Sequence, residues 1–122
     1  MRKEYLGIII DRTRDKGMSQ QALELVNGYY LRGKETSPQQ AYARAAVAYS
    51  AGDLELAQRL YDAVSKGWFM YSSPVLSNAP EPGEKVKGLP ISCFLSYVPD
   101  TVDGLVSHQS EIAHLSVRGG GI

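Results

Sequence analysis

The chain has 122 residues, and its 13 basic and 13 acidic residues cancel to a formal net charge of zero. This length fits one small domain, and the balanced charge gives no electrostatic reason to expect nucleic acid or an anionic membrane as a partner. No apolar run approaches the roughly 20 residues of a membrane-spanning helix. The single cysteine cannot form an internal disulfide and is typical of a reducing cytoplasm.

The first segment, residues 5–16, has an ambiguous pattern. Three consecutive isoleucines favour a strand, whereas Leu6, Ile9 and Ile10 could line one face of a helix, so both interpretations stay open. The apolar run is short and soon interrupted by charge, which argues against a signal peptide. Gly17 ends the segment.

A helix is predicted after Ser19, because a serine oxygen can accept a hydrogen bond from a free N–H of the first helical turn. Leu23, Val26 and Tyr30 recur at three- and four-residue steps and form one apolar stripe. We expect Gly33 to end this helix, since glycine is common just beyond a helix C-terminus.

The clearest helical signal is the stretch TSPQQAYARAAVAYSAGD. Ser37 can cap the helix, Pro38 suits its first position because that N–H would be unpaired anyway, and Gln40 completes a capping box. The alanine-rich run that follows predicts a closely packed helix that extends to Tyr49.

A further helix is predicted after Asp53, the next N-cap. Leu56, Leu60 and Val64 form its apolar stripe, and a glycine follows its last turn. Residues 37–67 therefore predict two helices packed as an αα-hairpin.

The character of the chain changes beyond this hairpin. WFMYSSPVLSNA is aromatic and apolar and contains a Ser-Pro turn, and PEPGEKVKG has the composition of a surface loop. Residues 89–98 alternate partly and predict a strand entered through Pro90. Asp100 or Thr101 should then cap a helix that runs toward Val117.

Taken one at a time, the residues that could carry chemistry are weak candidates. Cys93 lies in an apolar run, where a free cysteine most often fills a core. His108 and His114 are six residues apart and fall on different faces of a helix, which disfavours a metal site. SSPVLSN alone predicts a turn, and the terminal GGG alone is a weak indication of phosphate binding.

The order and spacing of these segments are more specific. KGWFMYSSPVLSNA, GLPISCFLSYVPDTVDGL and SVRGGGI together resemble the N-terminal part of the large, catalytic subunit of ribonucleotide reductase. FMYSSPVLSNA is similar to a Ser/Thr-Pro-x-Leu-x-Asn segment of that family, LPISCF to a strand with a redox-active cysteine, and RGGGI to a glycine turn. YYLRGKETSPQQAYARAAVAYS is similar to the family's helical domain, so the resemblance covers most of the chain.

The resemblance implies a mostly α fold. Residues 1–70 would form an N-terminal helical domain. Residues 71–122 would form the first strand and helix of a ten-stranded α/β barrel, which this chain leaves incomplete. It also implies that the chain is one piece of a divided or truncated subunit, inactive until the C-terminal remainder completes it.

The activity implied by the resemblance is that of a ribonucleoside-diphosphate reductase, which makes deoxyribonucleotides for DNA synthesis by thiol and radical chemistry. Cys93 would be one of two catalytic cysteines that become a disulfide, and the other cysteines of the reaction would lie outside this chain. Ser92 and Cys93 would contact the substrate, and Ser73 would hold its phosphate end. Gly120 would let the backbone approach the nucleotide, because a side chain would block that contact.

The resemblance also implies a regulatory site and partners. Asp100, Thr101 and Val102 would begin the effector site, which binds deoxynucleoside triphosphates or ATP at the interface of a homodimer. No cofactor or metal would be bound by this chain, and a metal-containing small subunit, rather than cobalamin, would supply the radical. The partners would be that small subunit, the C-terminal remainder and the ribonucleotide substrate, without nucleic acid or membrane.

A helical binding module is the alternative from a different class. AVAYSAGDLELAQRLYDAV resembles a tetratricopeptide helix pair, with Tyr49, Ala57 and Tyr61 in roughly the expected order. The spacing from Tyr49 to Ala57 is one residue short, and solenoids need about three repeats, of which one is present. This interpretation leaves residues 68–122 unexplained. It predicts peptide binding without deoxynucleotide binding, whereas an inert decayed fragment would bind neither.

Overall fold

The computed structural model of the protein describes all 122 residues and is mostly helical, as expected. The elements are β1 (Arg2–Tyr5), β2 (Ile8–Asp11), a 3₁₀ helix (Arg12–Gly17), α1 (Gln20–Tyr29), α2 (Pro38–Ala48), α3 (Leu54–Ser65), α4 (Ser73–Asn78) and α5 (Val102–Val117). None of these helices combines the length and the hydropathy that a membrane span requires.

The ambiguous first segment forms an antiparallel β-hairpin rather than a helix. Leu6 and Gly7 make its two-residue turn with φ angles of 52° and 84°, the left-handed conformation that tight hairpin turns need. Ile8 and Ile10 are each 2% exposed, whereas Ile9 between them is 47% exposed. The isoleucines thus follow the two-residue period of a strand.

Helix α1 begins as predicted and ends earlier than predicted. Ser19 caps it by accepting a hydrogen bond from the first turn. The helix ends at Tyr29 rather than near Gly33, because the backbone N–H of Leu31 donates to the carbonyl of Val26 and closes the last turn. Within the predicted stripe only Val26 is fully buried.

Helices α2 and α3 form the predicted αα-hairpin, and their N-termini are capped as expected. Ser37 caps α2, with Pro38 in its first turn, and Asp53 caps α3. The capping box is modified, because Gln40 accepts a hydrogen bond from the N–H of Thr36 at 2.8 Å rather than from that of the N-cap residue.

The face that α3 turns toward the core differs from the predicted stripe. Ala57, Tyr61 and Val64 are buried, whereas Leu56 is exposed and Leu60 is half-buried. The alanines of α2 allow close helix packing, and Ala57 of α3 is small enough to lie against them. Tyr61 fills the space beneath the β-hairpin.

The predicted strand at residues 89–98 is absent as a regular element. The segment makes a single parallel bridge, between Cys93 and Gly121. A β-strand is stabilised by hydrogen bonds to a neighbouring strand over several residues, whereas this segment is paired at one residue only. Upstream, the predicted Ser-Pro turn forms the six-residue helix α4 instead.

Candidate active site

The segment around Cys93 meets the C-terminal glycines through its backbone. The N–H of Gly121 donates to the carbonyl of Ser92 at 2.6 Å, and the N–H of Phe94 donates to the carbonyl of Gly121 at 2.9 Å. Cys93 is a free thiol with an exposed side chain, so it does not fill a core within this chain, as a cysteine in an apolar run most often does. The structure therefore brings Ser92 and Cys93 next to the Gly120–Gly121 turn and leaves the sulfur accessible.

The glycine turn ends α5 in a Schellman motif. Gly119 has a φ of 79°, its N–H donates to the carbonyl of Ser116, and the N–H of Gly120 donates to that of Leu115. A Cβ on Gly120 would lie 2.7 Å from the ring of Phe94. A side chain at this position would therefore have to displace the ring of Phe94, the residue that follows Cys93.

Ser73 lies in the first turn of α4, and its hydroxyl is 2.8 Å from the hydroxyl of Tyr30. No hydrogen bond joins Ser73 to the Cys93 segment. The two regions are connected by Asn78 at the other end of α4, which donates to the carbonyl of Leu89 at 2.7 Å. Helix α4 thus connects Ser73 to the segment that carries Ser92 and Cys93.

The three predicted effector residues lie at the start of α5. Thr101 caps the helix by accepting a hydrogen bond from the N–H of Gly104 at 3.0 Å, as one of the two predicted caps. Asp100 and Val102 are exposed on either side of it. No hydrogen bond joins these residues to Ser73 or Cys93.

A buried ion pair under α4 was not predicted from the sequence. Arg44 Nε is 2.8 Å from Glu35 Oε1, and both side chains are 0% exposed. Arg44 also donates to the backbone carbonyls of Leu76 at 2.9 Å, Ala79 at 2.8 Å and Tyr30 at 2.9 Å. The guanidinium therefore satisfies carbonyls at the C-terminal end of α4 that have no partner within a helix.

The sequence did carry a signal for this ion pair. Arg44 is the only charged residue in the small, apolar run AYARAAVA. An arginine on a helix that packs through alanines has to be buried, and a buried charge needs a partner. A glutamate just ahead of the helix, Glu35, was the available partner.

A cavity of about 470 Å³ lies beside Tyr30 and Ser73, which both line it. Most of its other lining residues are apolar, and its volume is in the range of small-molecule sites. The hydroxyl of Tyr71, another lining residue, is buried without a hydrogen-bond partner, and burial raises its pKa to about 12. The Ser73 hydroxyl thus lies at a space large enough for a ligand group.

Comparisons with known proteins agree on one family. The profile of the family described as ribonucleotide reductase, all-alpha domain, matches residues 17–84. A Frog virus 3 protein, assigned as a ribonucleoside-diphosphate reductase large subunit, is 54% identical over 81 residues, which are 66% of this chain and 14% of that protein.

Two further viral relatives match nearly the whole chain. The ribonucleoside-diphosphate reductase large subunits of Invertebrate iridescent virus 3 and Invertebrate iridescent virus 6 are 42% and 41% identical over 115 and 116 residues. Each alignment covers 94% of this chain but only 18% and 12% of the respective relative. The chain therefore spans less than a fifth of the length of these relatives, and both alignments extend across the Cys93 segment.

Proposed function

Because this chain belongs to the ribonucleotide reductase large-subunit family, we propose that it supplies part of the site at which ribonucleotides are reduced to deoxyribonucleotides. The observation that carries the proposal is the bridge between Cys93 and Gly121, which holds an exposed thiol beside a glycine turn. The relatives are named ribonucleoside-diphosphate reductases, so the proposed substrates are ribonucleoside diphosphates. Nothing in the fold or the comparisons favours the tetratricopeptide alternative.

Cys93 is proposed as one of the two thiols that reduce the substrate. Replacing the ribose 2′-hydroxyl by hydrogen consumes two electrons and two protons and releases the oxygen as water. Two thiols supply both when they are oxidised to a disulfide, since each gives up one electron and one proton. The chain has one cysteine, so the second thiol comes from a segment outside these 122 residues. The exposure of Cys93 supports this, because its sulfur is open to a partner thiol.

The substrate-binding residues of this proposal are Ser73, Ser92, Cys93 and Gly120. The Ser73 hydroxyl holds a phosphate oxygen, and it can do so while it contacts Tyr30 because a hydroxyl both donates and accepts. Ser92 and Cys93 contact the nucleoside part. Gly120, which has no side chain, lets the backbone of the turn approach the nucleotide closely.

The finer architecture belongs to the same proposal. Residues 71–122 begin a ten-stranded α/β barrel, with α5 as its first helix. The segment 89–98 becomes its first strand when the remaining large-subunit polypeptide supplies the neighbouring strands. Support comes from the bridge that Cys93 makes with Gly121 and from the uncovered apolar side chains of this segment, of which Leu95 and Tyr97 are almost fully exposed. Exposed apolar surface of this kind is typical of an interaction surface.

The proposal includes an effector site and a small subunit. Asp100, Thr101 and Val102 begin a site for deoxynucleoside triphosphates or ATP at the interface of a homodimer. The exposure of Asp100 and Val102 at the start of α5 supports this placement. A metal-containing small subunit supplies the radical, and this chain binds no cofactor of its own.

The experiment is co-expression of this chain with the remaining large-subunit polypeptide, which together we call the assembled large subunit, followed by an assay with the small subunit. We expect the assembled large subunit to reduce a ribonucleoside diphosphate with a dithiol as reductant. Cys93→Ser should abolish turnover while nucleotide binding persists, since the serine hydroxyl cannot form a disulfide. Absence of a complex and of turnover would contradict the proposed function, and near-normal turnover of Cys93→Ser would return Cys93 to a structural role.

A further inference from the structure

We propose that Tyr30 is a positioning residue for the Ser73 hydroxyl, and that the buried Glu35–Arg44 pair keeps the two hydroxyls within hydrogen-bond distance of each other. The inference rests on the proposed function, because it takes Ser73 as the residue that holds the substrate phosphate. It adds Tyr30, Glu35 and Arg44, which lie far from Ser73 along the chain, to the determinants of substrate affinity.

The contact itself is specific. The hydroxyls of Tyr30 and Ser73 are 2.8 Å apart, and they are 43 residues apart along the chain. Tyr30 is the only hydrogen-bond partner of the Ser73 side chain within this protein. A serine hydroxyl without a partner rotates among three staggered positions, so a hydrogen bond to a phenol selects one of them. Selecting one orientation before the ligand arrives lowers the entropic cost of binding.

A single guanidinium anchors both sides of this contact. Arg44 donates through Nη2 to the backbone carbonyl of Tyr30, and through Nη1 to the carbonyls of Leu76 and Ala79. Leu76 belongs to α4, the helix that carries Ser73, and Ala79 directly follows it. Tyr30 and the helix of Ser73 therefore have their backbones fixed to one side chain.

The anchor is rigid because its own charge is held in place. Glu35 accepts hydrogen bonds from Arg44 at Oε1 and from the backbone N–H of Arg32 at Oε2, at 2.8 and 2.9 Å. Arg32 donates in turn to the carbonyl of Ala79 at 2.9 Å, so that carbonyl accepts from both arginines. Shifting Tyr30 relative to α4 would break charge-assisted hydrogen bonds of the Arg44 guanidinium, whose side chain is 0% exposed, and this is costly.

A substitution that removes only the Tyr30 hydroxyl separates the positioning role from a purely structural role of the ring. The Tyr30 ring also packs against a cluster of buried residues that includes Ala41 and Leu76, so removing the whole side chain would disturb the fold under either interpretation. Tyr30→Phe keeps the ring and removes only the hydroxyl. Its neighbour Tyr29 is 79% exposed and its side chain makes no hydrogen bond, so Tyr29→Phe is a matched control.

The test measures kcat and KM for a ribonucleoside diphosphate with the assembled large subunit and its small subunit. We expect Tyr30→Phe to raise KM about three- to ten-fold with kcat nearly unchanged, because one neutral hydrogen bond that orients a binding group is lost. Tyr29→Phe should leave KM unchanged. Thermal unfolding of Tyr30→Phe should stay close to that of the unsubstituted protein.

A double-mutant cycle assigns the effect to Ser73. If Tyr30 acts through Ser73, Tyr30→Phe adds nothing to the KM of Ser73→Ala, whereas independent effects would multiply. A normal KM in Tyr30→Phe, or a full additional effect in the Ser73→Ala background, overturns the positioning role. These outcomes require turnover by the unsubstituted assembly. An unsubstituted assembly that neither binds nor reduces diphosphates overturns the proposed function instead.

Discussion

Two tyrosines differ in the hydrogen bonding of their hydroxyls: the side chain of Tyr61 is fully buried, and that of Tyr71 is half-buried. The Tyr61 hydroxyl donates to Gln39 Oε1 at 2.9 Å and accepts from the N–H of Asp11 at 2.7 Å. The Tyr71 hydroxyl is buried without a partner. A buried hydroxyl costs free energy unless it is hydrogen-bonded, so the same substitution should have opposite effects at the two positions.

We therefore expect Tyr71→Phe to raise the free energy of unfolding by about 1 kcal/mol, because it removes an unpaired buried polar group. Tyr61→Phe should lower it by about 1–3 kcal/mol, because it leaves the Asp11 N–H and Gln39 Oε1 without a partner. Urea unfolding of the chain and both variants measures the difference. A loss of stability in Tyr71→Phe as large as that in Tyr61→Phe would mean that the Tyr71 hydroxyl is hydrogen-bonded after all.

The carboxylate of Asp11 makes the stability of the hairpin pH-dependent. Hydrogen bonds from the side chain and the N–H of Thr13 lower the pKa of Asp11 from 3.8 to about 2. Because the folded-state pKa lies below the unfolded value, this stabilisation is complete above about pH 4 and is lost as the pH falls to about 2.

Asp11→Asn keeps an oxygen that can accept from Thr13 but cannot titrate. We expect the melting temperature of the Asn variant to fall less steeply than that of the unsubstituted chain between pH 4 and pH 2. Melting curves recorded at several pH values in this window test it. Parallel curves would show that Asp11 does not contribute to the acid sensitivity of the chain.

At the level of the elements, helix starts could be predicted from the sequence because capping is local. Ser19, Ser37, Asp53 and Thr101 all cap helices as expected. Each capping oxygen accepts from a backbone N–H two or three residues ahead, so residue type and spacing contain the needed information. The end of α1 and the buried face of α3 depend on what packs against them, and neither was predicted correctly.

The non-local contacts of the candidate site could not be predicted in the same way. The bridge between Cys93 and Gly121 joins two segments separated by α5, and the Tyr30–Ser73 contact joins α1 to α4. Local pattern predicted a regular strand around Cys93, whereas the structure shows one bridge. The order of the motifs, rather than any periodicity, associated Cys93 with the glycine turn.

Arg44 joins three helices, and its loss should therefore destabilise the packing of α1, α2 and α4 together. We expect Arg44→Met to lower the free energy of unfolding by about 3–5 kcal/mol, because Glu35 would become an unpaired buried charge. Arg59→Met on α3 is the matched control, since Arg59 is exposed and makes no ion pair. It should change stability by no more than about 0.5 kcal/mol.

Chemical denaturation of both arginine variants measures this contrast. A loss below about 1 kcal/mol in Arg44→Met would show that the buried ion pair adds little to the packing of the three helices. Such a result would also weaken the proposed anchoring of Tyr30.

At the scale of the whole molecule, packing is uneven along the chain. The buried apolar residues form two clusters, one around Ile8 and Tyr61 and one around Ala41 and Leu76, and every member of both lies between Ile8 and Ala79. Large apolar side chains beyond that point are mostly exposed, including Leu95, Tyr97 and Val106. This distribution agrees with the proposal that the second part of the chain is covered by further large-subunit polypeptide.

The most direct test of the proposed function is a single turnover by the pre-reduced assembled large subunit, mixed with its small subunit but without external reductant. Alkylation of free thiols and mass spectrometry then report the oxidation state of Cys93. We expect about one deoxyribonucleotide per active site, with Cys93 protected from alkylation and linked by a disulfide to a cysteine outside this chain. Formation of deoxyribonucleotide while Cys93 stays fully open to alkylation would contradict its assignment as a reducing thiol.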